Sequence, residues 1–336
     1  MPHTTNRRDF LKQSAAATTA TLLASSAQWN TPQPIHAASP KEAAVNQDAL
    51  PVVDTHQHLW DLTKLTLPWL KNEGVQAINR NFVMSDYLKA TKQANVVKTV
   101  YMEVNVHPSQ QVKEAEYVID LCQRDDNPMQ AAVIGGYPHD PGFAAQISKL
   151  AKSRYIKGVR TVLHDPDRPR GLCLKPEFIK GIKHLGELGL SFDLCMRPDE
   201  LMDGVKLART CPNTRFVMDH CGNMSIVSQD KKQRQAWMDG IKAASQLDNM
   251  VCKISGIVVT AENDQWKPAD LAPNMNFCMD AFGADRAYFG GDWPVCTLKS
   301  TFVRWVDALK WIVRDRSREY QQKLFHDNAV RFYGLS

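Results

Sequence analysis

Two apolar runs near opposite ends of this chain each deliver reactive side chains, and together they narrow the fold to one class. The first is Val52-Val53-Asp54-Thr55-His56-Gln57-His58; the second is Tyr288-Phe289-Gly290-Gly291-Asp292-Trp293-Pro294. Residues i and i+2 of a strand face the same side, so His56 and His58 are expected to point together into one cavity. Several apolar segments between the two runs also end on a reactive group. Strands that each finish on chemistry, repeated along a chain, are the sequence pattern of a (β/α)₈ TIM barrel, an α/β fold whose site is built at the C-terminal ends of its strands.

Apolar, β-rich runs fall at 51–56, 97–104, 131–136, 156–162, 190–196, 215–219, 250–255 and 286–291. Amphipathic stretches lie between them at 112–124, 143–152, 176–188, 198–208, 234–246 and 274–282, and 301–312 and 316–333 read as closing helices. Alternation of strand with helix implies a parallel sheet. About eight such units over roughly 290 residues is the size of a single barrel. A doubly wound open sheet is the alternative, but no GxGxxG follows the first strand. The barrel domain is assigned to residues 45–336, with no internal boundary. Segment 59–95 is too long for one helix, and Trp60, Trp69 and Phe82 make it aromatic. A connection of that length either covers a site or packs beside the rim. Trp60 is its candidate substrate contact.

The N-terminus is a different material. Asn6-Arg7-Arg8-Asp9-Phe10-Leu11-Lys12 precedes a weakly apolar Ala/Thr/Leu stretch that runs to Ala27. Paired arginines, then Phe-Leu-Lys, then a modest apolar region resemble a bacterial twin-arginine export signal. Residues 1–38 are read as signal and linker, the twin-arginine export machinery as a partner, and the periplasm as the destination. The 8 cysteines are scattered without a CxxC pair, so they are expected to be mostly free and buried. No apolar run is long enough to span a membrane. The net charge is +5, from 41 basic and 36 acidic residues. Arg7, Arg8 and Lys12 against Asp9 carry part of that excess, and no basic stripe suggests nucleic acid. A small-molecule substrate is expected; the oligomeric state is not readable.

Taken by strand, the candidates for chemistry are His56 and His58 on the first and Glu103, followed by Asn105 and His107, on the second. Tyr137 and His139 follow the third, and the fourth carries Arg160 with His164 and Asp165 beyond it. The fifth holds Asp193 and Cys195, the sixth ends on Asp219 and His220, the seventh contains Lys253, and the eighth delivers Asp292. Arg160 suits a substrate carboxylate or sugar hydroxyls, or else it pairs with Glu103 in the barrel mouth. Lys253 is either a buried, paired base or a substrate contact. His107, His139 and His184 read as surface or loop residues, and His164 less so.

Five motifs in order carry a resemblance: Asp-Thr-His-Gln-His-Leu-Trp from Asp54, Gly-Val-Arg from Gly158, Met-Asp-His-Cys-Gly from Met218, Cys-Lys-Ile-Ser-Gly from Cys252 and Gly-Gly-Asp-Trp-Pro-Val from Gly290. They resemble the amidohydrolase-related family, and more closely its L-fuconolactonase-like and L-rhamnonolactonase-like sugar-lactone hydrolases. The resemblance extends from about Val52 to the C-terminus. It implies a TIM barrel that hydrolyses a sugar lactone or related carbonyl substrate, with His56, His58, His220 and Asp292 in the active site. On that reading Asp292 takes the proton of the attacking water. The three histidines hold a divalent metal, expected to be one Zn²⁺, or donate hydrogen bonds to the carbonyl oxygen. Glu103 is the candidate to complete the metal's sphere. The chain departs from metal-dependent members of the wider superfamily at the fifth strand, which carries Asp193 and no histidine, and at the fourth, where Lys157 sits too early. A decarboxylase or amidase on the same barrel and an exported, non-catalytic binding protein are the alternatives.

Overall fold

The computed structural model describes residues 50–336, so the expected export signal and linker lie outside the described residues. The strands are β1 (Val52–Gln57), β2 (Val96–Met102), β3 (Met129–Gly135), β4 (Ile156–Val162), β5 (Ser191–Cys195), β6 (Arg215–Met218), β7 (Met250–Ile254) and β8 (Ala287–Phe289). Each pairs in parallel with the next, in chain order. Between β8 and β1, Gln57 bridges Trp293, the Thr55 hydroxyl donates to the Phe289 carbonyl at 2.6 Å, and His58 N donates to the Trp293 carbonyl at 2.8 Å. These contacts make a nearly closed TIM barrel. Every strand lies where its apolar run placed it, because a parallel sheet covered on both faces is written as near-continuous hydrophobic sequence.

The helices are α1 (Met84–Thr91), α2 (Gln111–Cys122), α3 (Phe143–Leu150), α4 (Pro176–Glu187), α5 (Leu201–Thr210) and α6 (Lys231–Ser245). They continue with α7 (Pro268–Phe282), α8 (Phe302–Ile312), α9 (Arg318–Gln322) and α10 (Asn328–Tyr333). α7 starts before the expected 274 because Pro273 is accommodated inside it. As the sixth residue of the helix, Pro273 leaves the Ala269 carbonyl without its i+4 donor. The expected helix 316–333 is interrupted by a π turn at Lys323–Asp327, which separates α9 from α10.

Inside the barrel the strands begin apolar. Val53, Val100, Ala131, Val133, Val217 and Tyr288 form a plug that Tyr333 and Leu335 close from below. One irregularity in β1 then decides what stands above it. Asp54 is level with Thr99 and Gln57 with Tyr101, so β1 spends three steps where β2 spends two. Regular alternation from the inward Val53 would send His56 outward; a bulge of one residue turns it in. Asp54 holds the bulge. Its Oδ1 accepts from His56 N at 2.9 Å and from Gly291 N at 2.7 Å, and its Oδ2 accepts from the Tyr87 hydroxyl at 2.8 Å. The same carboxylate therefore sets the histidine strand and the turn that presents Asp292.

Candidate active site

Above the plug, a cavity of about 340 Å³ opens between the strand ends, with His58, Arg160, His220 and Asp292 on its walls. Left-handed backbone recurs just after strands: Asn105 after β2 (φ 48°), His220 with Cys221 and Asn223 after β6 (φ 52°, 53° and 59°) and Asp292 after β8 (φ 54°). Asn, Asp and His are the non-glycine types that tolerate this region best, and such local strain collects at functional sites. Gly256, just after β7 at φ 63°, is required for a second reason: a Cβ there would lie 2.3 Å from His220 Nδ1.

The imidazoles are held in distinct ways. His58 Nδ1 lies 2.9 Å from the Met102 carbonyl. A carbonyl only accepts, so Nδ1 carries the hydrogen and Nε2 presents a lone pair. That Nε2 faces Asp292 Oδ1 at 3.3 Å. His56 Nε2 accepts from Arg160 Nη1 at 3.1 Å, which leaves the hydrogen on Nδ1, directed at Asp219 Oδ1 3.7 Å away. Burial, with His220 and Lys253 nearby, holds His56 well below the ordinary histidine range, so it is neutral. His220 Nδ1 is 2.9 Å from the Ser255 hydroxyl, and burial lowers it also, against the pull of Asp292 and Asp219.

A charged layer lies between plug and cavity. Arg160 Nε donates to Glu103 Oε1 at 2.6 Å, its Nη2 donates to the Glu103 carbonyl at 2.7 Å, and its Nη1 is 3.6 Å from Asp219 Oδ2. Lys253 Nζ lies 2.8 Å from Asp193 Oδ2 and 3.2 Å from Asp219 Oδ1. Asp219 thus joins both cations, and their pull, with that of His220, outweighs its burial and keeps it ionised.

The structure brings His56, His58, His220 and Asp292 to one mouth, as the resemblance implies. It separates three other candidates from their assigned roles. Glu103 stands outside the cavity wall and outside the groups that could together hold an ion, and its carboxylate is paired with Arg160 and Asn105 N instead. Lys253 is fully buried beneath the site and spent on two carboxylates, out of reach of a substrate. Trp60 is fully buried, its indole N–H donating to the Arg80 carbonyl, and it packs edge-on against Trp69, centroids 5.6 Å apart. Trp69 is the indole that reaches the cavity wall. Arg160 does line the cavity, with three of its groups already committed as above.

His164 lies on the cavity wall, its Nδ1 3.3 Å from Cys195 Sγ. His107, His139 and His184 stay outside it. His184 bridges Ser148 and Glu187 on the faces of α3 and α4. All 8 cysteines are buried and unpaired. The sequence assigned Asp219 no role, although Met-Asp-His ends a strand that pairs with the Lys253 strand.

His56, His58 and Asp292 could together hold a metal ion. Their acceptors are 3.3 Å (His58) and 3.8 Å (His56) from Asp292 Oδ1, close to the roughly 3.4 Å ligand spacing that a tetrahedral ion with 2.0–2.1 Å bonds requires. The facing lone pairs of His58 and Asp292 call for a positive species between them, and a carbonyl-anchored imidazole is the usual second-shell arrangement of a metal ligand. The donor set fits a divalent ion, provided that His56 exchanges its Arg160 contact for it.

Sequence comparison agrees with this geometry. The amidohydrolase family model matches residues 53–335. The chain belongs to the amidohydrolase family. Among relatives of this amidohydrolase, an uncharacterized protein of Sinorhizobium fredii is 29% identical over 300 residues, covering 84% of this chain and 98% of that one. An L-fucono-1,5-lactonase of Burkholderia ambifaria is 28% identical over 291 residues, covering 84% of this chain and 95% of the lactonase. An amidohydrolase from Burkholderia multivorans, solved with bound HEPES, superposes with a TM-score of 0.76 at 21% identity, covering 85% of this chain and 100% of that one. The structure with bound zinc gives a TM-score of 0.74, also at 21% identity and the same coverage. These structures share the fold, and the family makes this protein a hydrolase.

Proposed function

We propose that this amidohydrolase opens the ring of a neutral, hydroxylated lactone by attack of water. The observation that carries the reading is electrostatic. Among the described residues, Arg160 is the only lysine or arginine on the cavity wall, and Glu103 and Asp219 already neutralise it. A carboxylated substrate would find no uncompensated lysine or arginine on this wall to hold it, whereas a neutral ring needs none. The similarity to an L-fucono-1,5-lactonase supports the same class of substrate.

The chain's own groups suffice to describe the reaction. Asp292 accepts a proton as water adds to the lactone carbonyl carbon. Negative charge grows on the carbonyl oxygen, where the remaining Arg160 N–H and the His220 imidazole stand as donors. Collapse of the tetrahedral intermediate breaks the bond to the ring oxygen, which takes the proton from Asp292 and leaves as a hydroxyl. A divalent ion held by His58, Asp292 and His56, proposed to be Zn²⁺, would supply Lewis acidity to the carbonyl or water.

The deciding experiment follows acid release from a panel of aldonolactones with a pH indicator. Activity on neutral lactones and none on substrates bearing a carboxylate is expected. CO₂ release from a carboxylated substrate would replace this reading with a decarboxylase, amide cleavage would indicate an amidase, and silence throughout would leave a binding protein. Export is proposed from Arg7 and Arg8: changing both to lysine should retain the protein in the cytoplasm on cell fractionation, and unchanged periplasmic delivery would refute it.

A further inference from the structure

The cavity wall also contains a carboxylate that the proposed reaction does not use. Asp165, just beyond β4, faces the cavity beside Asn105, from the end of β2. Asn105 Nδ2 donates to Asp165 Oδ2 at 3.3 Å, and Asp167 N donates to Asp165 Oδ1 at 3.1 Å. The backbone beneath is fixed as well: Arg197 Nη2 and Arg168 N donate to the Asp165 carbonyl at 2.7 and 2.9 Å. Asn105 is itself pinned, with left-handed backbone and its N–H on Glu103 Oε2 at 2.6 Å. Among the described residues, no cation forms an ion pair with the Asp165 carboxylate.

Each oxygen of this carboxylate accepts one N–H, and a carboxylate oxygen has capacity for a second donor. An ionised carboxylate only accepts, so the ligand must bring donors, and two adjacent acceptors match two adjacent hydroxyls on a sugar ring. The neighbouring surface suits the rest of such a ring. Trp69 lines the same cavity and donates its indole N–H to the carbonyl of Val104, the residue before Asn105, at 2.8 Å. Its edge-on contact with the buried Trp60 fixes the plane. A fixed indole offers an apolar face for the C–H side of a sugar, next to a carboxylate that accepts from the O–H side.

We propose that Asp165, oriented by Asn105, is the specificity-determining acceptor of a vicinal diol on the substrate, with Trp69 as the platform for the ring. The inference rests on the lactone reading for the identity of the ring, and on the Asp165 geometry alone for the diol. It assigns Asp165 a binding role and no part in the bond-making step.

The test compares wild type, Asp165→Asn and Asp165→Ala on a polyhydroxylated δ-lactone and on unsubstituted δ-valerolactone, with thermal melts to confirm that the variants fold. Wild-type preference for the hydroxylated ring, expressed as a ratio of kcat/KM values, should fall by about 10- to 100-fold in both variants, as expected for one or two hydrogen bonds to a charged acceptor. The fall should appear in KM. Calorimetry with a polyhydroxylated δ-lactam, whose ring resists opening, reads binding without turnover, and the variants should lose affinity by the same factor. A preference ratio unmoved by both variants, or lactam binding indifferent to Asp165, overturns the proposal. If the lactam binds in an Asp165-dependent way and no lactone is opened, the diol acceptor stands and the lactonase reading falls.

Discussion

Along β1, Val53 packs among Val100 and Tyr288, and three residues later His56 faces Arg160 and Asp219. The same contrast runs around the barrel. Its lower interior is an apolar plug, whereas the upper interior and its surround bury Asp54, Glu103, Glu114, Asp193, Asp219 and Asp292, and Arg160 and Lys253 are the only buried lysine or arginine among the described residues to balance them. Strand beginnings make the fold, and strand endings make the site. The upper half is stabilised by pairing, and where cations run out a proton takes their place. Burial pushes Glu114 up to about 8, reinforced by the nearby Glu103. Burial likewise pushes Asp193 up to about 7 against the pull of Lys253.

If the halves are separable in this sense, variants should sort by half. The largest effect is expected at Asp292. Asp292→Asn keeps the shape but cannot take the proton, so turnover should fall about 10²- to 10⁴-fold with little change in the melting temperature. Near-normal turnover would remove Asp292 as the base and break the assignment of chemistry to the upper rim. Val53→Ala in the plug should show the reverse pattern, losing stability on denaturant titration while kcat is retained.

Next comes the charged layer, where the halves meet. Lys253→Met leaves Asp193 and Asp219 without their ammonium, and removing one partner of a buried ion pair costs about 3–5 kcal/mol. Urea unfolding should show that loss at neutral pH. A cost no greater than that of Val53→Ala would mean that the charged layer is a tolerated passenger and not a structural member.

The smallest effect is on pH dependence. Glu114 holds its proton in the folded state up to about 8 and gives it up near 4.5 when unfolded. Its contribution to stability is therefore complete below 4.5 and is lost as pH rises through 8. Glu114→Gln cannot ionise and retains an acceptor for Tyr101 and Val104 N. It should gain on the wild type steadily across that window in melts taken at several pH values. Parallel curves would show that Glu114 is not carrying a proton.

The barrel was legible in the sequence because a covered parallel strand has to be written in apolar residues, and this chain writes it at every strand. His56, His58, His220 and Asp292 were legible for a related reason, since side chains at strand ends share one mouth. The inward turn of His56 was not, because a bulge is a property of two strands and shows in neither alone. Glu103 and Lys253 each had two open readings, and Trp60 was misassigned, for want of partners: Arg160, Asp193 with Asp219, and Arg80 decide their fates from strands and loops far away in the chain. Choosing Trp69 over Trp60 required knowing which indole the loop buries.

That no uncompensated lysine or arginine lines the cavity among the described residues also bears on the fate of what is made there. On the lactone reading, the substrate enters without charge and leaves as an anion. The compartment that admitted the ring then sets the carboxylates of Asp165 and Asp292 against the new one, with Arg160 already engaged. Counting the side chains alone, turnover is coupled to ejection: the product is repelled by the walls that received its precursor. Such a site resists clogging by accumulated acid without any moving part.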